Sequence, residues 1–192
     1  MKKILFVAVL AFASVMAYAQ PRAIGLRLGA FDGISYQHGL GDGMLEIEAG
    51  FSIDGRTDFW GTTAGTRWHD RMWGSTVQAA VTYDWIDPFG ATFPWEHKGE
   101  WHWYLGVGAA GGFGWYGYGS WGGYTGGDAY NWGFAGLAGR AGVEYDFWFP
   151  LQLSIDFRPT LGTGLATDGA GDLHAGLYWE MTCLALGVRY KF

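Results

Sequence analysis

The chain has 192 residues, with 12 basic and 18 acidic side chains and a formal net charge of −6 at pH 7. This acidic balance argues against nucleic-acid binding, which needs a basic surface. A single cysteine, Cys183, excludes an internal disulfide, and the 34 glycines, 12 tryptophans, 11 tyrosines and 13 phenylalanines far exceed the usage of an ordinary soluble domain.

The first 19 residues have the pattern of a secretory signal peptide. Lys2 and Lys3 precede an apolar run at positions 4–16, and Ala17-Tyr18-Ala19 fits a small-residue cleavage site. We therefore predict a signal peptide at 1–19 and a mature domain at 20–192, which has 10 basic and 18 acidic side chains and a formal charge of about −8. No cysteine lies near position 20 to carry a lipid anchor, and no later apolar run approaches the ~20 residues of a spanning helix.

Short segments of alternating apolar and polar residues follow, as expected of β-strands with one apolar face. Turn sequences such as Asp32-Gly33 and Gly41-Asp42-Gly43 separate the first of them. The alternation of apolar and polar residues at positions 180–182 is out of phase with the alternation at the end of the chain. This change of parity predicts a β-bulge there. The pattern predicts eight strands, at 23–31, 34–40, 44–52, 76–86, 100–113, 131–147, 151–161 and from a start between 174 and 182 to the C-terminus.

The last strand shows the alternation most clearly. Leu184, Leu186, Val188, Tyr190 and Phe192 share one face, and small or basic residues fill the other. A soluble protein rarely leaves so apolar a face on its final strand, whereas a transmembrane β-barrel exposes apolar residues to lipid and keeps polar ones inside. Because the mature chain accommodates eight strands of ~9–11 residues, we predict an all-β, eight-stranded antiparallel up-and-down transmembrane β-barrel.

The segments at 53–75, 87–99, 114–130 and 163–173 lack this alternation and are predicted as connections. With both termini in the periplasm, the long connections after strands three, five and seven would lie outside the cell. The connection at 87–99 is longer than a periplasmic turn should be, so ten strands are the alternative count. A soluble lipocalin-like barrel, with its apolar face inside, is the structural alternative.

These features resemble the small bacterial outer-membrane β-barrels of the OmpX and OmpA-transmembrane type. The resemblance rests on AIGLRLG at 23–29, GISY at 33–36, LSIDFRP at 153–159 and the terminal aromatics Tyr190 and Phe192. It implies an integral outer-membrane location, with outer-membrane lipid, lipopolysaccharide and the barrel-assembly machinery as partners. In that family Tyr190 and Phe192 would form the C-terminal insertion signal. The resemblance implies a fold and a location rather than one activity, because such barrels serve many tasks.

Charged residues on the predicted inner face would meet inside the barrel. An eight-stranded barrel has an interior only wide enough for its own side chains, so we predict an ionic network that closes the lumen. A narrow pore for ions or small solutes is the alternative, and it would require the network to rearrange, at ~3–5 kcal/mol for a broken buried pair. The predicted network consists of Arg27, Glu46, Glu48, Asp84, His102, Arg140, Glu144, Asp156, Arg158 and Arg189.

A lipid A-modifying enzyme is the third hypothesis, because some barrels of this size carry such an activity. By the predicted topology His38 and His102 fall toward the periplasm, the wrong leaflet for lipid A, whereas His69 and His174 fall outside. Ser75 lies near His69 in the sequence, but no spacing defines a catalytic triad or a set of metal ligands. We therefore predict no catalytic residue, no cofactor and no metal.

The glycine- and aromatic-rich segment at 114–130 is predicted as an outer loop. Trp121 and Tyr124, in its middle, are candidate contacts for sugars or partner proteins, with local self-packing as the alternative. Trp115 and Trp132 flank strands and are predicted to lie in the outer aromatic girdle at headgroup level. The sequence favours a non-catalytic, monomeric outer-membrane barrel with an envelope-structural or surface-interaction role.

Overall fold

The computed structural model describes residues 22–29, 31–63, 66–87, 98–119, 130–167, 173–181 and 183–192. Among these residues, no helix is long and apolar enough to span a membrane. They form ten strand segments: β1 (Arg22–Gly29), β2 (Asp32–Leu40), β3 (Gly43–Thr63), β4 (Thr66–Ile86), β5 (Gly99–Gly119), β6 (Tyr130–Phe147), β7 (Leu151–Phe157), β8 (Thr160–Thr167), β9 (Leu173–Glu180) and β10 (Leu184–Lys191).

Two pairs of these segments are single strands with an interruption. Segments β7 and β8 lie in line against β6 without a change of register, since Ala141 faces Phe157 and Ala138 faces Thr160. The break falls at Pro159, which has no N–H to donate to a neighbouring strand. Segments β9 and β10 also follow one another along one strand, with β9 paired to β8 and β10 paired to β7, but with a shift of register between them. All pairings are antiparallel and β1 pairs with β10, so the sheet closes as a barrel of eight strands, as predicted.

The break between β9 and β10 is a β-bulge. Glu180 faces Thr160, whereas Leu184 faces Phe157, so four steps along this strand match three steps along its neighbour. One extra residue is therefore accommodated between them. The bulge predicted from the parity of positions 180–182 is confirmed. Together with the break at Pro159, it explains why ten segments make eight strands.

Three predicted connections are partly strand. The pairing of β3 with β4 continues through most of 53–75, as far as Thr63 opposite Thr66. Strand β5 continues to Gly119, and β8 extends to Thr167 inside the predicted loop at 163–173. Cross-strand backbone hydrogen bonds do not depend on side-chain polarity. Strand residues beyond the apolar band need no apolar face, so their sequence does not alternate with a period of two.

In the part of the chain that the structure describes, the barrel has eight strands at one end and six at the other. We call the end with the short turn at Gly41 and Asp42 the turn end, and the opposite end the loop end. The first hairpin is short, and its turn lies between β1 and β2, where the Gly29 N–H donates to Asp32 Oδ1 at 3.0 Å. Beyond this turn β3 pairs directly with β9, from Asp58 opposite Trp179 onward. The wall therefore narrows toward the loop end.

The two faces of the wall have opposite polarity. Leu26 and Val107 on the outer face are 57% and 58% exposed, whereas Arg27, Glu46 and Arg140 on the inner face are at most 2% exposed. A lipocalin-like barrel would have these positions reversed. The observed arrangement is the one predicted for a barrel whose outer surface meets lipid.

Candidate functional site

The interior of the barrel holds most of its buried charge. Nine of the ten charged residues predicted to line the lumen are at most 4% exposed, and His102 is partly buried at the turn end. The structure brings eight of the nine into one connected set, while Glu144 lies apart, toward the turn end. The connected residues are Arg27, Glu46, Glu48, Asp84, Arg140, Asp156, Arg158 and Arg189.

Arg140, on β6, is the most connected of the arginines. Its guanidinium forms ion pairs with Glu46, with Asp84 at 2.7 Å and with Asp156 at 3.1 Å. It also donates to Tyr104 Oη at 3.1 Å, and its Cζ lies 4.6 Å from the centre of that ring. Arg140 therefore connects residues from β3, β4, β5 and β7. A single side chain joins walls that lie on different sides of the lumen.

Glu46, on β3, is the corresponding hub among the acidic residues. One oxygen accepts from Arg189 at 2.7 Å and from Ser35 Oγ at 2.9 Å. The other accepts from Gln37 at 2.8 Å and from Arg140. Ser35 Oγ in turn accepts from Arg189 Nε at 2.6 Å. Four donors thus surround one fully buried carboxylate, which is the arrangement that compensates for removing a charge from water.

A third group lies toward the loop end. Arg27, on β1, pairs with both Glu48 and Asp156. Arg158 Nε lies 3.2 Å from Glu48 Oε2, close enough for an ion pair but without the alignment of a hydrogen bond. The guanidinium of Arg158 lies over the ring of Phe31 at 5.9 Å, where the first hairpin turns. The network therefore ends where the barrel begins to narrow.

The connected set is balanced in charge and reaches across the lumen. It contains four arginines and four carboxylates, and with Ser35, Gln37, Tyr104 and Ser154 it draws on every one of the eight strands. Contacts between β6 and β3 and between β10 and β3 join segments that do not pair with each other in the sheet. Because the pairs satisfy one another in a low-dielectric interior, the network fixes the positions of its members.

Several uncharged partners were not included in the predicted network. Tyr104, Ser35 and Gln37 occupy inward positions, as the period-two alternation of their strands predicts, but the predicted network was limited to charged residues. Inward glycines provide the space. A Cβ at Gly106 would collide with the Asp84 carboxylate, and one at Gly142 would lie 2.5 Å from Tyr104 Oη. Some of the glycine excess is therefore explained by the room that buried charge requires.

The interior of the six-stranded part is aromatic. The rings of Phe134 and Tyr178 stack with centroids 4.0 Å apart, and Tyr178 Oη donates to Glu180 at 2.9 Å. Trp132 is 1% exposed and packs where Gly114 leaves space for its ring. The prediction that Trp132 lies in the outer girdle is therefore wrong. Trp132 lies eight positions before Arg140 on β6, so both side chains point to the inner face. The alternation of the strand, rather than the preference of tryptophan for the membrane interface, determines its position.

A smaller polar group lies at the turn end. His102 Nδ1 is 2.8 Å from Asp87 Oδ2, and Asp87 Oδ1 accepts from the backbone N–H of Trp103 at 3.1 Å. Lys191 Nζ pairs with Asp146 at 3.0 Å. His102 therefore contacts its own local partner rather than the central network. Among the described residues, no group of three or more His, Cys, Asp or Glu side chains could hold a metal ion.

The remaining predicted positions divide between described and undescribed parts of the chain. Tyr190 and Phe192 face outward at 56% and 63% exposure, with ring centroids 6.5 Å apart. Trp121, Tyr124 and the predicted signal peptide at 1–19 lie outside the described residues, as do the side chains of His69 and His174.

Comparison with known proteins identifies the architecture. No protein-family model matches the chain, and no curated protein matches it. A solved structure with a similar fold is the crystal structure of a major outer membrane protein from Thermus thermophilus. That protein is 15% identical, with a TM-score of 0.50, and the similarity covers 91% of this chain and 100% of the other. At this identity the similarity establishes the fold alone: the chain is a closed β-barrel with the architecture of a known outer membrane protein.

Proposed function

We propose that the chain is an integral, non-catalytic outer-membrane β-barrel of the small OmpX and OmpA-transmembrane type. Its role would be structural in the envelope or would depend on surface interactions at the loop end. The observation that carries the proposal is the inverted polarity of the wall, with charged residues inside and large apolar residues outside. The similar Thermus structure, described as a major outer membrane protein, supports the same location and class.

The height of the apolar surface supports membrane insertion. Along β5, outward positions from Trp103 to Phe113 span ten residue steps. At ~3.4 Å per residue and a tilt of ~40°, this is about 26 Å along the barrel axis. The apolar band of an outer-membrane barrel is ~25 Å tall. The band on this chain therefore matches the hydrocarbon layer that it would have to cross.

Aromatic side chains border this band. Trp101 and Tyr145 lie together near the turn end with ring centroids 4.8 Å apart, and Trp148 in the adjoining turn is 73% exposed. Phe113 and Trp115 stack at 6.2 Å toward the loop end. Aromatic residues favour both membrane–water interfaces, so these two sets are suited to girdles. With the turn end in the periplasm, both termini would be periplasmic.

The partners follow from this location and are part of the proposal. Outer-membrane lipid and lipopolysaccharide would surround the outward residues. The barrel-assembly machinery would recognise Tyr190 and Phe192 at the end of β10. Trp121 and Tyr124 stay predicted surface contacts of the loop end, and a monomer is expected because the sheet closes within one chain.

Heat-modifiable migration tests the membrane assignment. The unboiled protein should migrate differently from the boiled protein in a detergent gel, because a closed sheet has no free edge from which to fray. Fractionation of cells expressing the full chain should place it in the outer membrane. Recovery of a folded protein in detergent-free buffer would contradict the proposal.

Conductance separates a closed barrel from a pore. The cross-lumen ion pairs of Arg140 and the aromatic packing of Trp132 support a closed lumen, so purified protein in planar bilayers should show no steady channels. A general porin inserted in the same bilayers controls for fusion. Steady channels that are reduced by Arg140→Ala or Glu144→Ala would favour the alternative of a narrow pore for ions or small solutes.

A further inference from the structure

A cavity opens at the turn end of the barrel, on the far side of the central network from the aromatic packing. Its volume is about 530 Å³, within the ~300–1,000 Å³ range of small-molecule sites. Neither the envelope-structural role nor the charge balance of the central network explains it. Its wall includes His102, Glu144, Asp146, Gln152 and Lys191.

Glu144 gives this cavity a chemical preference. The residue is 3% exposed and lines the cavity, and its Oε2 has no hydrogen-bond partner among the described residues. It lies directly opposite His102 on β5, but His102 is held by Asp87 at 2.8 Å. A buried carboxylate oxygen without a partner is costly, so its presence in a native fold points to a group that is bound there.

The rest of the wall has a surplus of negative charge. Asp146 also lines the cavity, and one of its oxygens pairs with Lys191 at 3.0 Å while Oδ1 has no hydrogen-bond partner among the described residues. Asp42 adds a third carboxylate to the lining, against the single lysine. A cation is therefore favoured over an anion or a neutral polar molecule.

The remaining lining selects the kind of cation. Within the described residues no cluster could supply three metal-ligating side chains, so the wall does not resemble a metal site. It does contain the apolar side chains of Ala23, Met44 and Ile86. An aliphatic ammonium compound matches both parts, because its charged group can donate to a carboxylate while its carbon chain contacts apolar residues.

We propose that the turn-end cavity binds a small aliphatic amine, whose ammonium group donates to Glu144. The site is enclosed by the inner face of the eight-stranded part. The proposal therefore does not depend on the membrane location or on the role of the loop end. Failure of amine binding would leave the proposed function unaffected, and failure of the membrane assignment would leave the cavity and its carboxylate in place.

Calorimetry with 1,5-diaminopentane tests this proposal on the full mature chain folded in detergent micelles. The diamine should bind, and neutral 1,5-pentanediol should not. Glu144→Gln preserves the size of the side chain but removes its charge, so affinity should fall about tenfold or more. Glu100→Gln is the matched control. Its carboxylate is 81% exposed near the same opening, and its loss should change affinity less than about twofold.

In a second variant the affinity for the diamine should increase. Lys191→Met removes the cation that pairs with Asp146, so the amine should bind several-fold more tightly. General damage to the fold would not increase affinity, and migration of unboiled samples checks that each variant is folded.

A lysine-containing tripeptide with blocked ends tests whether the amine can belong to a peptide: weaker binding than the diamine supports a free amine. Absence of diamine binding, equal binding of the diol, or unchanged affinity in both variants would overturn the proposal.

Discussion

Glu46→Ala is expected to destabilise the barrel strongly, because Glu46 is the hub among the acidic residues of its inner wall. The change leaves Arg189 without its carboxylate partner and removes one of the three carboxylates that pair with Arg140. It also removes the acceptor for Ser35 and Gln37. Breaking one buried pair costs ~3–5 kcal/mol, because the remaining charge stays buried without compensation. We therefore expect the free energy of unfolding to fall by at least ~3–5 kcal/mol, measured by denaturant titration in lipid vesicles.

The matched control is Glu100→Ala, which removes an exposed carboxylate near the turn end. Its side chain is 81% exposed and its carboxylate lies 3.5 Å from His102 Nε2, so the expected cost is below ~1 kcal/mol. A double-mutant cycle of Glu46→Gln with Arg189→Met should give a coupling of ~0.5–3 kcal/mol, as for residues in one network. Equal stability of Glu46→Ala and Glu100→Ala would show that the interior network contributes little to stability.

The faces of the strands could be predicted from the sequence, because a period of two leaves little freedom. Arg27 between Leu26 and Leu28 must point away from both of them, and the same holds for Glu46 and Glu48 on β3. The polarity of each face followed from this alternation. Trp132 shows that this alternation outweighs residue type. Tryptophan is typical of the membrane interface, but the alternation of β6 places Trp132 inside the barrel.

The pairing within the interior could not be predicted in the same way. Arg140 and Glu46 lie 94 positions apart in the chain and meet across the lumen. Their contact depends on the stagger of all the strands between them, which period-two patterns do not report. The narrowing to six strands was missed for a related reason. The pairing of β3 with β9 beyond the first hairpin involves segments in which the sequence shows no alternation.

Leu137→Arg should separate a lipid-facing wall from a water-facing one. Leu137 is 75% exposed and lies opposite Ala109, near the middle of the apolar band between Trp103 and Phe113. In a bilayer, an arginine at the midplane of a barrel costs ~2–4 kcal/mol. In a soluble barrel the same exposed position would tolerate arginine within ~0.5 kcal/mol. The free energy of unfolding in lipid vesicles should therefore fall by ~2–4 kcal/mol.

Trp148→Arg provides the depth control for this measurement. Trp148 is as exposed as Leu137, at 73%, but it lies in the short turn after β6 rather than in the band. Arginine near the interface costs only ~0–1 kcal/mol, because its guanidinium can reach the headgroups. The two substitutions insert the same side chain at the same exposure, so only depth distinguishes them. Equal losses in the free energy of unfolding for the two substitutions would show that both residues lie in the same solvent. The outer face of the barrel would then not be a membrane surface.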